Sequence, residues 1–157
     1  MRKFTFVFAS LLGMFFAAPS FASCCVDVAV TVTPPASAGG TVLNVRLTNN
    51  TANQLEVNGS FLPWNNRYSL ILVAVRERKP NEQLEQKFFF DDIGPENVLI
   101  QPKQSLEGQI DLREFFKGIE SELGKGSLIL LWSYQLVTTD KQESKRLAGW
   151  VRLAGRN

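Results

Sequence analysis

The side chains that could do chemistry in this sequence are carboxylates, serines, lysines and two cysteines; histidine does not occur. Without imidazole there is no Ser-His-Asp or Cys-His nucleophile, no histidine-ligated zinc and no histidine-held haem. Oxygen ligands for calcium or magnesium remain, but no D-x-D-x-D-G spacing is present. No cofactor motif is found, and the expectation is a protein without cofactor or metal. Asp91 and Asp92 are neighbours, and neighbouring carboxylates on extended backbone point apart. A glycosidase needs two carboxylates brought together across the scissile bond from distant chain positions. Asp91, Glu96 and Glu107 are the candidate set for that, with nothing in their spacing to mark them out. Lys79, Lys87 and Lys103 lack the S-x-x-K context of a serine/lysine enzyme and read as solvated lysines. The chain is therefore read as non-catalytic.

One loop carries groups suited to recognition. In 61–67, Phe61 and Trp64 stand beside Asn65, Asn66 and Arg67, an aromatic pair next to hydrogen-bonding side chains. Such a set can hold a sugar or an extended peptide. The plainer reading of Trp64 is that it folds back to close one end of the core, as large aromatics usually lie inside. Asn49-Asn50-Thr51 and Asn58-Gly59-Ser60 match the glycosylation pattern, but read here as turns.

The elements that must position this loop are strands. The stretch 127–139 is the most apolar. Leu128, Leu130, Trp132, Tyr134 and Leu136 share one side, with Ile129, Leu131 and Val137 on the other, as suits a central strand apolar on both faces at its start. Further strands are expected over 26–33, 42–49, 54–58, 68–76, 83–90, 97–101, 105–110 and 147–153. A solvated hairpin tip is expected over 76–85 and a turn over 91–95. One helix is expected after Asp111, its cap, with Leu112, Phe115, Phe116, Ile119 and Leu123 as its apolar stripe and Gly124 and Gly126 at its end. Some eight strands with polar turns and one short helix before the penultimate strand predict a mainly β Greek-key sandwich, as a single domain over 24–157. The strand and T-N-N-T-x-N turn over 42–58 resemble bacterial immunoglobulin-like domains, protease-inhibitor-like ones among them. The resemblance covers some twenty residues, implies the architecture and carries no functional residue across.

The first 23 residues read as an export signal. Arg2 and Lys3 precede an apolar run that Pro19 ends, too short for a stable span. These two residues supply the whole excess of 17 basic over 15 acidic side chains. The remainder is formally neutral and offers nucleic acid no electrostatic attraction. Two processing readings compete: cleavage after Ser20-Phe21-Ala22, or lipidation. Phe21-Ala22-Ser23-Cys24 resembles the lipobox of bacterial lipoproteins, with phenylalanine where leucine is usual. That resemblance implies acylation of Cys24, a firm membrane anchor and, because Cys25 is not aspartate, outer-membrane sorting. With no cysteine after Cys25, no disulfide staples the domain.

The expected function is that of an exported, lipid-anchored envelope protein. It faces the periplasm and binds an envelope protein or glycan. The alternatives are an inhibitor or immunity-type protein blocking an extracytoplasmic enzyme, and a carboxylate-dependent glycan hydrolase.

Overall fold

The computed structural model describes residues 25–65, 69–87 and 96–156. The export signal, Cys24, the phenylalanines at 88–90 and the 91–95 turn lie outside them. Eleven strands are described: β1 (Cys25–Val26), β2 (Val28–Thr33), β3 (Val42–Asn49), β4 (Leu55–Asn58), β5 (Leu70–Arg76), β6 (Lys79–Gln83), β7 (Asn97–Ile100), β8 (Ser105–Asp111), β9 (Leu128–Tyr134), β10 (Glu143–Ser144) and β11 (Leu147–Leu153). Two short helices, α1 (Leu112–Phe115) and α2 (Ile119–Lys125), precede β9. The fold is mainly β, and its sheets are antiparallel apart from a two-residue parallel pairing of β1 with β10.

Period-two patterning explains the strands. In β3, Leu43, Val45, Leu47 and Asn49 are buried while Asn44 and Arg46 face water. In β2, Val28 and Val32 are buried, with Thr31 and Thr33 outside. The sheet β2-β3-β8 places these rows opposite Leu70, Leu72 and Ala74 of β5 and Leu128, Leu130 and Tyr134 of β9, from the sheet β11-β9-β5-β6, in one core. Burying each such large side chain contributes about 1.5–3 kcal/mol. A third ribbon, β4-β7, adds Leu55, Val57 and Ile100.

β9 is central, hydrogen-bonded to β11 on one side and β5 on the other. The expectation that both its faces begin buried is corrected: Leu131, on the second face, is 45% exposed. Its inward Trp132 crosses to Gly149, its register partner on β11, where an added Cβ would meet the indole Cζ2 at 2.6 Å.

Three further expectations are corrected. The charged 76–85 stretch is not a long solvated tip. Arg76 pairs with Lys79 across a two-residue turn, and β6 runs along the sheet edge, where Pro80 is tolerated. Arg76 supports this edge, its guanidinium bonded to Glu82 at 2.5 Å and Glu122 at 2.7 Å. The strand expected over 83–90 is not continued over 84–87, where Gln86 makes an isolated bridge, and its remainder lies outside the described residues.

The single helix is two. Asp111 caps the first, accepting from the Arg113 backbone N–H at 3.0 Å. Phe116 then adopts extended backbone and bridges Gln86, and Gly118 at φ +63° restarts the chain as α2. Leu112, Phe116, Ile119 and Leu123 are nonetheless all buried. The stripe reports burial faithfully, while the left-handed glycine decides continuity.

Candidate functional site

The 59–65 loop is built from its own hydrogen bonds. Asn58 Oδ1 accepts from the Ser60 N–H at 2.9 Å and starts a 3-10 turn, Gly59–Phe61. Asn65 Nδ2 donates to the Gly59 carbonyl at 3.1 Å, and Ser69 Oγ to that of Leu62 at 2.8 Å. From the core, the Tyr134 hydroxyl donates to the Phe61 carbonyl at 2.9 Å. Burial pushes that hydroxyl's pKa well up and keeps it a donor. Leu62 and Pro63 are buried.

Trp64 is half-buried against the core, over Gly108 of β8. The indole thus fills space beside the β2-β3-β8 sheet. Of the predicted recognition residues, Phe61 and Asn65 face water, while Asn66 and Arg67 lie outside the described residues, as does Cys24.

The carboxylates are largely engaged with cations. Glu107 pairs across strands with Arg46 at 2.5 Å. Glu96 is exposed, and Asp91 lies outside the described residues. Glu122 takes hydrogen bonds from Arg76 and then Lys125, which hold its pKa down at about 2. Among the described residues no group of three or more cysteine, aspartate or glutamate side chains is placed to hold a metal ion. Both glycosylation-like asparagines act in turns. Asn49 is fully buried: its Oδ1 accepts from the Thr51 N–H and hydroxyl at 2.9 and 2.7 Å, and its Nδ2 donates to the Asn53 and Ile100 carbonyls at 2.8 and 3.0 Å.

A surface that the sequence reading passed over is the outer face of β11-β9-β5. Trp150, Leu131 and Val73 stand in one register row, and Ala148, Ser133 and Ile71 in the next. Trp150 is 64% exposed and Ile71 49%. The small Ala148 and Ser133 leave the indole of Trp150 standing proud of the row beside it. Charge rims the face: Arg152 pairs with Glu77 at 2.7 Å, and Arg146 donates to Gln135 at 2.9 Å. The signal was present in 147–153, where Trp150 alternates with Ala148 and Arg152 opposite Leu147, Val151 and Leu153. An aromatic in the polar register of a half-buried strand is a surface aromatic.

No protein family and no curated protein matches the chain. Among solved structures, a crystal structure of a Bordetella pertussis protein provisionally called ApaA is similar over 85% of this chain and 97% of that one, at 14% identity and a TM-score of 0.49. At that score the likeness carries no argument about function.

Proposed function

We propose that the chain is an exported, lipid-anchored immunoglobulin-like β-sandwich of Greek-key type. On this reading it faces the periplasm from the outer membrane and acts by binding an envelope protein, without catalysis. The strand orders β11-β9-β5-β6 and β2-β3-β8 around one core support the sandwich. The export signature and the cysteine at 24 support the anchor. The observation that carries the binding reading is the row Trp150–Leu131–Val73, in which Trp150 and Leu131 are exposed and Val73 half-buried. An exposed apolar face bearing a tryptophan and rimmed by an Arg–Glu pair has the anatomy of a protein-contact surface, with an aromatic anchor inside a polar rim. A glycan would ask for a groove lined by more hydrogen-bonding groups than this face offers.

The test is capture from an envelope extract by native protein and by Trp150→Ala, with identification of what is retained. The reading expects a specific protein set lost from the variant. The same set recovered with equal affinity by both would refute this face as the contact surface.

A further inference from the structure

We infer that the end of the domain at which the chain enters lies against a lipid surface, contacting it through Phe61, Ile71 and Leu99. The inference rests on the anchor proposed above and deepens it by giving the domain an orientation.

The chain enters at β1, whose Cys25 pairs with Glu143 of β10, just before β11 begins. β10 is tied in turn to the end of β9: Gln135 Nε2 donates to Glu143 Oε2 at 2.9 Å and to the Ser144 carbonyl at 3.2 Å. The 59–65 loop stands at this same end, held by Tyr134. So does the β4-β7 ribbon, through the Thr139 N–H donating to the Glu56 carbonyl at 2.9 Å and Asn49 to the Ile100 carbonyl at 3.0 Å. Cys24 immediately precedes β1. One residue spans at most about 3.6 Å, so no spacer separates an acylated Cys24 from the folded domain. The loops around the point of entry must then approach the headgroups.

The apolar exposure is distributed accordingly. Among the described residues five large apolar side chains are exposed. Leu131 and Trp150 lie further along the outer sheet face, on which Ile71 stands in the row nearer the point of entry, beside Phe61. The other three, Phe61 at 42%, Ile71 at 49% and Leu99 at 51%, are on the entry end. Phe61, Ile71 and Val137 share a shallow hollow of about 240 Å³ with Gln135 and Arg146. The opposite end, formed by α1, α2 and the turn after β5, presents ion pairs instead: Arg113–Asp111, Lys125–Glu122, Arg152–Glu77 and Lys117–Glu85. At the entry end Lys141, Lys145 and Arg146 accompany Asp140 and Glu143, a near balance. Contact is therefore driven by apolar side chains entering the headgroup region, and salt weakens it little.

The test uses the full chain with Cys25→Ser, purified in its acylated form and returned to phosphatidylethanolamine–phosphatidylglycerol vesicles. A fluorophore is placed through Phe61→Cys, Ile71→Cys or Leu99→Cys, with Thr33→Cys as the exposed control on β2. Palmitate labelling of the native chain against Cys24→Ala reports the anchor separately. The inference expects iodide quenching at 61, 71 and 99 to fall several-fold on vesicles, spin-labelled lipid to quench there, and position 33 to do neither. Palmitate incorporation with equal iodide quenching at Phe61 and Thr33 would overturn the inference and leave the anchor standing. No incorporation at Cys24 would overturn both. Protection of Phe61 that requires added envelope protein rather than lipid would give this end to a protein and overturn the inference alone.

Discussion

The indole of Trp64 occupies the space that a side chain at Gly108 would need: a Cβ there would meet Trp64 Cδ2 at 2.0 Å. The loop aromatic and the strand glycine are thus one packing unit across 44 residues of chain. Gly108→Ala should displace the ring and destabilise the domain by about 1–3 kcal/mol. Trp64→Ala should cost about 3 kcal/mol. Urea denaturation of both variants and the double variant should show strong coupling, with the alanine at 108 costing little once the ring is gone. Additive effects would mean the ring does not lie on Gly108.

Asn49 shows what a turn signal in the sequence can conceal. Its buried amide satisfies two carbonyls of separate segments and the Thr51 N–H and hydroxyl. Asn49→Ala leaves those groups without partners and should cost about 2–4 kcal/mol. Asn49→Asp puts an acceptor where a donor is required, so it should destabilise at neutral pH and recover in part as the carboxyl is protonated. Urea midpoints at pH 7 and pH 4 check both.

Tyr134→Phe removes the donor to the Phe61 carbonyl and should cost about 1 kcal/mol. Amide hydrogen exchange over 59–65 should quicken while that of β9 stays slow. Unchanged loop exchange would mean the core does not brace this loop.

Glu122 supplies a pH dependence of known sign. Arg76 and Lys125 lower its pKa from 4.5 to about 2. The stabilisation is therefore fully present above about pH 4.5 and is lost as pH falls from there towards 2. Glu122→Gln should cost about 1 kcal/mol at pH 7. It should also flatten the fall in urea midpoint over that acid range. An acid limb identical to that of the native protein would contradict the assignment.

Much of the strand framework was legible because burial writes period two into β2, β3, β5, β9 and β11, and a glycine-bounded apolar stripe marks the helical segment. Two things were not. Extended backbone at Phe116 and left-handed backbone at Gly118 split the helix, and a pattern of apolar spacings registers neither. The outer face of β9 was misread because Ile129 and Leu131 are as apolar as the core side. Sequence gives composition, whereas coverage depends on what packs above that face. Trp64, whose plainer reading is inward, finds its space at Gly108, far along the chain.

Trp150 is 64% exposed, so Trp150→Ala should change stability by less than about 0.5 kcal/mol. Its effect on binding can thus be measured without unfolding. The most direct test of the binding face places a photo-crosslinking phenylalanine analogue at Trp150, Leu131 or Val73, and at Thr33 or Gln109 as controls, in intact cells. The account predicts adducts to one common protein from the three sheet-face positions and none from the controls. No adduct from the face, or the same adducts from the controls, would contradict it.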